Sequence, residues 1–255
     1  MKNKGLLITL IVILSFIAVL LSSFMYLLLN NKIKFGTMNT ELISDDIYEK
    51  EYEKINIDMN AGDVYLNGTN EKFIRVVVYA SNNDEIITKE DKELNISIKQ
   101  KPCIGICISN EKDRIEVYIP NNYDKDINIK NKYGDTKIRN LSNSNIKIDA
   151  NAGDIDIDST LNLNIYSKYG DIRVKNINNS FNIEQNAGDI NIDNINIKEN
   201  SYIKNKYGDI KINNINEIYV DAKTNLGDIR INNNYRNGEI ILKLENNLGD
   251  IEVNN

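Results

Sequence analysis

The sequence contains no histidine and no tryptophan, and it has only two cysteines and two prolines among 255 residues. Without histidine the chain cannot form a Ser-His-Asp triad or a Cys-His nucleophile pair. It also lacks the side chain that most often transfers protons near neutral pH. A zinc site would need more Cys or His ligands than the chain provides. We therefore expect no catalytic residues, no cofactor and no metal site.

Asparagine and isoleucine dominate the composition, with 44 residues of each. Asparagine favours turns because its short amide bonds to nearby backbone and tolerates a positive φ. Isoleucine favours strands because its β-branched side chain packs well on a pleated surface. The two together indicate many short strands joined by tight turns.

The charges are unevenly distributed. The first 34 residues carry four lysines and no acidic residue, which leaves 27 basic and 37 acidic residues in positions 35–255, a net charge of −10. An acidic domain binds polyanions poorly, so we expect no nucleic-acid partner.

Residues 5–29 form an uncharged run of 25 residues, GLLITLIVILSFIAVLLSSFMYLLL. A helix of about 20 apolar residues already crosses a bilayer core of about 30 Å. The alternative is a cleaved signal peptide, but its apolar region is usually about 7–15 residues and ends at a small-residue cleavage site. We therefore predict a retained transmembrane α-helix at 5–29, after a short cytoplasmic tail at 1–4. The charged segment 30–52 is predicted to be a linker or stalk, followed by an extracytoplasmic C-terminal domain of a single-pass cell-membrane protein.

A Gly-Asp pair recurs eight times. From Gly134 onward the intervals are 19, 17, 18, 20, 19 and 22 residues, a period of about 19. The surrounding residues alternate between apolar and polar, as in strands with one buried face. The pairs are Gly62-Asp63, Gly134-Asp135, Gly153-Asp154, Gly170-Asp171, Gly188-Asp189, Gly208-Asp209, Gly227-Asp228 and Gly249-Asp250.

Each repeat therefore predicts a strand, a Gly-Asp corner, a shorter strand and a polar turn. One such coil cannot bury its own apolar face, so neighbouring coils must stack. The predicted fold is all-β, a parallel β-helix or solenoid of coils of about 19 residues, over residues 53–255. Residues 131–255 form its regular part, and 53–130 an irregular or capping part.

The corner residues have two interpretations. Glycine supplies a positive φ, and aspartate can accept bonds from backbone N–H groups. The alternative is a calcium ladder, but calcium-binding repeats need the pattern G-G-x-G-x-D every nine residues. We favour the structural interpretation.

The residue before the glycine alternates between large and small: Tyr133, Ala152, Tyr169, Ala187 and Tyr207, followed by Leu226 and Leu248. By strand parity this position faces inward, so we expect these side chains to pack in the core. The alternative is an exposed aromatic ladder that stacks on sugars.

The irregular part contains four strand-like runs, at 54–59, 73–80, 93–99 and 114–119. It also contains Cys103 and Cys107, in Cys-Ile-Gly-Ile-Cys. A straight strand would hold these cysteines about 13 Å apart, too far for a disulfide, whereas a tight turn at Gly105 would allow one. A disulfide and two free thiols both remain possible.

The run Arg114-Ile-Glu-Val-Tyr-Ile-Pro120, followed by Ile127-Asn-Ile129, Gly134-Asp135 and the later G-D-I-x-I coils, resembles a bacterial family of putative-adhesin β-strand repeats, the LiaG-like proteins. The resemblance covers roughly residues 53–255. It implies a single-stranded β-helix, often behind a membrane anchor and sometimes linked to envelope-stress systems. It implies no catalytic residues.

Three functions follow as hypotheses. The favoured one is a non-enzymatic, adhesin-like binding or scaffold module of the cell envelope, whose partner is a cell-wall or surface glycan or another envelope protein. The second is an extracytoplasmic component of an envelope-stress sensing system. The third is a polysaccharide-active enzyme, although no carboxylates are gathered into a site. No helix or polar cap follows the last repeat, so we also expect an open C-terminal coil that could support self-association.

Overall fold

The structure is a computed structural model that describes two compact units. One comprises Met1–Asn39 and Lys101–Glu111, and the other comprises Thr40–Gln100 and Lys112–Asn255. The described residues are 3–29, 34–38, 40–81, 84–100, 105–109, 112–215, 217–232, 234–236 and 238–254.

The chain forms one helix and 21 strands in these residues. They are α1 (Asn3–Leu29), β1 (Lys34–Met38), β2 (Thr40–Tyr48), β3 (Lys54–Ala61), β4 (Asp63–Thr69), β5 (Ile74–Ser81), β6 (Glu85–Glu90), β7 (Glu93–Lys99), β8 (Gly105–Ser109), β9 (Arg114–Pro120), β10 (Asp126–Tyr133), β11 (Thr136–Arg139), β12 (Asn145–Ala152), β13 (Ile155–Tyr169), β14 (Ile172–Ala187), β15 (Ile190–Ile195), β16 (Ser201–Tyr207), β17 (Ile210–Ile215), β18 (Tyr219–Leu226), β19 (Ile229–Ile231), β20 (Ile241–Leu248) and β21 (Ile251–Asn254).

The first unit contains α1 and a parallel pair formed by β1 and β8. The apolar run that the sequence assigns to a membrane anchor lies within α1, which has 27 residues. Within the described part of the chain, no helix has the length and apolar character needed to span a bilayer. The transmembrane assignment of residues 5–29 stays a prediction.

The second unit is a β-solenoid, as the repeat predicts. Each coil contributes one strand to each of two faces, and each face is a row of parallel strands joined by backbone hydrogen bonds. The first face has the order β7, β3, β10, β12, the second half of β13, the second half of β14, β16, β20 and β18. The second has the order β9, β4, β11, the first half of β13, the first half of β14, β15, β17, β21 and β19.

The core lies between these two faces and consists of stacked aliphatic columns. Alternation along each strand directs every second residue inward, and the parallel register places equivalent residues of successive coils side by side. One column contains Ile57, Ile129, Ile148, Ile165, Ile183, Ile203 and Leu244, all at most 2% exposed. Burying one such side chain contributes about 1.5–3 kcal/mol, so the columns provide the main force that holds the coils together.

Coils are not stacked in chain order at either end. The last strands, β20 and β21, lie between the coil of β16 and β17 and the coil of β18 and β19. Similarly, the coil of β7 and β9 precedes that of β3 and β4. The predicted open C-terminal coil is therefore wrong, because β21 is paired on both sides.

Among the described residues no further coil lies between those of Gly62 and Gly134, although the two glycines are 72 positions apart. The coils of Gly62 and Gly134 are direct neighbours, since β10 pairs with β3 and β11 with β4. The intervening chain instead forms the outermost coil and a cap of antiparallel strands, in which β6 pairs with β7, β5 with β9 and β2 with β5.

The sequence predicts a linker at residues 30–52, but Thr40–Tyr48 forms strand β2, which belongs to the sheet. It lies at the edge of the sheet, and most of its side chains on both faces are exposed. Such a strand lacks the alternation between apolar and polar residues by which strands are identified in sequence.

Asparagine has two roles in the polar turns opposite the Gly-Asp corner. Asn140, Asn194 and Asn214 adopt a left-handed conformation, with φ of 57°, 53° and 55°. The amides also bond between coils, since Asn214 donates to Asn194 at 3.1 Å and Asn194 donates to Asn176 at 3.2 Å. These turns account for part of the abundance of asparagine.

Candidate binding surface

All eight Gly-Asp pairs come together in one column along the corner of the solenoid. In each coil the Asp Oδ1 atom accepts a hydrogen bond from the backbone N–H of the aspartate in the next coil, at 2.8–3.1 Å. The order along the stack is Asp63, Asp135, Asp154, Asp171, Asp189, Asp209, Asp250 and Asp228. Charge-assisted bonds of this kind are stronger than neutral ones, so the column fastens each coil to the next.

The corner glycines all have φ between 121° and 144°. At Gly170, where φ is 121°, a Cβ atom would be strained by the backbone conformation and would overlap the carbonyl oxygen of Gly153 in the neighbouring coil. Only glycine therefore satisfies both the corner conformation and the close approach of the coils.

The aspartate column provides no evidence for a calcium site. One carboxylate oxygen in each coil except the last already accepts a backbone N–H, as the structural interpretation expects. The described residues contain no group of three or more His, Cys, Asp or Glu side chains placed to hold a metal ion. Arg173 lies 2.8 Å from Asp171 and 3.5 Å from Asp154, so it offsets repulsion between two neighbouring carboxylates.

The residues before the corner glycines do not pack in the core, contrary to the prediction from strand parity. Tyr133, Tyr169 and Tyr207 are 55%, 59% and 55% exposed, and Leu226 is 67% exposed. Parity predicts the direction of a side chain only while the strand is straight. Here the chain turns at the following glycine, and the side chain lies beyond the end of the aliphatic core.

These side chains form an exposed column, which we call the corner column. From one end to the other it contains Ala61, Tyr133, Ala152, Tyr169, Ala187, Tyr207, Leu248 and Leu226. Large and small side chains therefore alternate on the surface, with one tyrosine on every second coil. The sugar-stacking alternative from the sequence requires this exposure.

Polar side chains flank the corner column on both sides. The aspartates lie beyond the glycine. On the other side is a column of exposed lysines and asparagines, in which Lys132, Lys168 and Lys206 directly precede the three tyrosines. None of these lysines is among the ion pairs of the described residues. Lys132 instead donates to Asn60 Oδ1 at 3.3 Å.

Sequence reasoning missed a buried polar column behind the corner. Asn131, Asn205 and Asn246 are at most 3% exposed, and each donates its amide N–H to a corner glycine carbonyl, at 2.8–3.0 Å. Gln185 makes the same contact with Gly170. The sequence contained a signal for this buried column. Each of these polar residues lies three positions before a corner glycine, where the alternation of the strand directs the side chain inward.

The cap forms a separate groove of about 590 Å³ against the outward side of the first coils. Its lining includes Lys89, Lys130, Lys147, Asp58 and Asp149. Nearby, Asp113 has a raised pKa because it is partly buried. The groove has mixed charge and is confined to the first coils, whereas the corner column extends along the stack.

The structure does not decide the state of the two cysteines. Cys103 lies outside the described residues, and Cys107 lies in β8, where only the backbone is described. Both alternatives for Cys103 and Cys107, a disulfide and two free thiols, therefore stay predictions.

Comparison with protein families assigns the solenoid. The family model described as Toastrack DUF4097 matches residues 52–255. The chain belongs to the Toastrack family. This confirms the resemblance that the Gly-Asp repeats indicate, and LiaG-like is a finer label within it.

The chain is also similar to solved structures, and the first of the three described next has the same fold. A putative adhesin from Parabacteroides distasonis is 13% identical, with a TM-score of 0.50, and the match covers 86% of this chain and 100% of that one. A putative cell adhesion protein from Clostridium sporogenes is 16% identical, with a TM-score of 0.43, and covers 84% of this chain and 99% of that one. A putative adhesin from Bacteroides fragilis is 17% identical, with a TM-score of 0.44, and covers 84% and 97%. No curated protein has a significantly similar sequence.

Proposed function

We propose that this Toastrack protein is a non-enzymatic, membrane-anchored binding module of the bacterial cell envelope, with an adhesin-like role. The observation that carries the proposal is the corner column, which lines up tyrosines and leucines on an otherwise polar surface. Exposed apolar groups in a continuous row are typical of interaction sites. The P. distasonis protein of the same fold, which is named a putative adhesin, supports the same role.

The absence of an enzymatic role is supported by how the carboxylates are used. Catalysis by acids alone needs two carboxyl groups gathered around a substrate, with one pKa raised. The corner aspartates are instead spread one to a coil, and all but the last accept a backbone N–H of the next coil. They are therefore committed to holding the stack.

Membrane anchoring is supported by the sequence of α1 and by its exposed side chains. Residues 5–29 are uncharged, and Val12, Phe16 and Leu20 are 59%, 64% and 53% exposed. Apolar side chains in such number are unfavourable in water and favourable in lipid. The lysines at both ends of the run suit the lipid headgroup regions.

The anchoring part can be tested by fractionating bacteria that express the full chain. We expect the chain to stay with the membranes after carbonate extraction, and a Phe16→Lys/Leu20→Lys variant to be released. Protease added to intact cells should cleave the second unit. Release of the unmodified chain by carbonate, or full protection from protease, would contradict the proposal.

The binding part can be tested with the full chain in detergent micelles, mixed with isolated bacterial envelopes and with a panel of polysaccharides. We expect retention on at least one of these surfaces and no release of reducing sugar. Turnover of any polysaccharide would show that the chain is an enzyme. Failure to bind every surface would remove the adhesin-like role.

A further inference from the structure

We infer that the corner column binds a linear, uncharged β-1,4-linked glycan that runs along the axis of the solenoid, with one sugar face stacked on each of Tyr133, Tyr169 and Tyr207. This inference rests on the proposed binding function and names the class of ligand. It comes from the exposure of the three rings, their spacing and the polar groups on either side.

The exposure of the rings shows that they are available. Each tyrosine is more than half exposed. The described hydrogen bonds and ring contacts include none made by these three side chains. A tyrosine presents a flat apolar face and a polar tip, which suits a partner that is apolar on one face and hydroxylated at its edges.

The spacing selects the ligand. Neighbouring coils are about 4.8 Å apart, so tyrosines on every second coil are about 9.6 Å apart. This distance is close to the length of one disaccharide in an extended β-1,4-linked chain. In such a chain successive sugars are flipped, so the same face recurs once per disaccharide. Ala152 and Ala187 lie between the tyrosines and leave room for the sugar that does not stack.

The flanking charges favour an uncharged ligand. On one side, Lys132, Lys168 and Lys206 and the asparagines between them can donate hydrogen bonds to hydroxyl or acetamido oxygens. On the other side, the aspartate carboxylates can accept hydrogen bonds from hydroxyl groups. Asp189 and Asp209 are exposed and belong to none of the ion pairs of the described residues, whereas Arg173 pairs with Asp154 and Asp171. A polyanion would be repelled by the aspartate column and a polycation by the lysines, whereas a neutral sugar fits both.

The column also has a defined length. Three tyrosines on alternate coils stack the first, third and fifth sugars of a chain, and Leu248 and Leu226 continue the apolar row for two further coils. A pentasaccharide is therefore the shortest ligand that reaches all three rings. Affinity should rise with oligomer length up to about this size, because each further ring adds a contact within the same complex.

The test uses the full chain in detergent micelles and the hexamer of β-1,4-linked N-acetylglucosamine as the probe. Binding can be followed by calorimetry, and by tyrosine fluorescence since the chain has no tryptophan. We expect Tyr169→Ala to weaken binding about tenfold and Tyr133→Ala/Tyr169→Ala/Tyr207→Ala to abolish it. Tyr166→Ala is the matched control, since Tyr166 is 40% exposed on the same coil but outside the column.

A second variant tests spacing separately from ring number. Ala152→Tyr/Tyr169→Ala keeps three tyrosines in the column but moves the middle one by one coil. We expect it to bind as weakly as Tyr169→Ala, with an unchanged circular-dichroism spectrum. Binding equal to the unmodified chain would overturn the spacing argument and with it the inference.

The remaining experiments distinguish failure of the glycan inference from failure of the proposed binding function. The α-1,4-linked hexamer of glucose should bind at least tenfold more weakly, and an acidic polysaccharide such as polygalacturonate should not compete. Equal binding of the α-linked hexamer, preference for the acidic chain, or no binding of the β-linked hexamer would overturn the glycan inference. If the chain were still retained on envelopes, the proposed binding function would stand without it.

Discussion

The regular coils and the cap pair their strands in two different ways. In the regular coils, parallel strands stack in register through the Gly-Asp corner, and every coil offers the next a row of backbone groups. In the cap, β2, β5 and β6 pair antiparallel with their neighbours and no Gly-Asp corner occurs between them. The antiparallel strands interrupt the parallel stack at this end, and β2 forms the edge of the sheet there.

The far end of the stack is closed differently again. Strand β18 is an edge strand, but the side chain of Asn234 accepts a bond from the N–H of Val220 and donates one to its carbonyl, both at 2.9 Å. An asparagine side chain thus imitates the next strand at that residue. The two ends show that a repeat defines the body of a solenoid, whereas its ends require non-repeating sequence.

The largest effect is expected for Gly170→Ala in the regular part. The new Cβ would impose an unfavourable φ and would overlap Gly153, and the two penalties together amount to about 4 kcal/mol. The matched control is Gly238→Ala in the loop before β20, where φ is not positive. Chemical denaturation should show a much smaller loss for the control. Equal losses of stability in the two variants would mean that glycine at the corner is not specifically required in the regular coils.

The second-largest loss of stability tests whether the coil of β20 and β21 lies between two other coils, out of chain order. Ile251→Ala should cost about 3 kcal/mol, because Ile251 is 0% exposed between two coils and truncation leaves a cavity. Ile229→Ala, at the equivalent position of the neighbouring coil, should cost much less since Ile229 is 43% exposed. The difference in stability between the two variants can be measured from their denaturation midpoints. If Ile229→Ala were the more damaging change, the terminal coil would be that of β20 and β21.

A smaller effect compares one tyrosine in each region. The Tyr52 hydroxyl donates to Glu90 at 2.6 Å in the cap, and the Tyr202 hydroxyl donates to Glu245 at 2.7 Å in the regular part. Tyr52→Phe should cost about 1–2 kcal/mol, because Tyr52 is buried, and Tyr202→Phe about 0.5–1 kcal/mol. The reverse order would show that the regular part depends more on these bonds than the cap does.

The same two tyrosines predict a dependence on alkaline pH. Burial, followed by the neighbouring Glu90, raises the pKa of Tyr52, and burial and Glu245 raise the pKa of Tyr202 to about 12. Their stabilisation should therefore be complete below pH 10, the ordinary tyrosine pKa, and be lost as the pH rises through the folded-state values. Each phenylalanine variant should lose less stability than the unmodified chain above pH 10. Parallel pH profiles for variant and unmodified chain would count against these shifts.

The smallest effect is expected for Asp156→Asn, which removes the negative charge and one of the two oxygens that accept bonds from Arg139, at 2.7 and 3.1 Å, between neighbouring coils. Both side chains are about one third exposed, so the loss should be below about 1 kcal/mol. The hydrogen bond from Arg139 lowers the pKa of Asp156. Its contribution is therefore present above pH 3.8 and disappears as the pH falls through the folded-state pKa. Acid titration of the melting temperature should show the two proteins converging, and a constant gap would contradict the assignment.

Strands with one buried face were predictable from residues alone. The runs at 54–59, 73–80, 93–99 and 114–119 correspond to β3, β5, β7 and β9. Alternation identifies β3, β7 and β9, whereas β5 is buried on both faces and is identified by its apolar run. Strand β6 and edge strand β2 were not found, since neither has a fully buried side chain on either face. The corner column was identified, but its direction was predicted incorrectly because the local turn at glycine overrides parity.

The sequence by itself determined the repeat, the corner and the stacked coils, because a short period of Gly-Asp with alternating apolar residues has few ways to bury its apolar faces. Only the tertiary structure decided the order of the coils at each end, the closure of the stack and the exposure of Tyr133, Tyr169 and Tyr207. These depend on which non-adjacent segments pair and on where the core ends. A local pattern carries no information about either, because both are properties of the assembled stack.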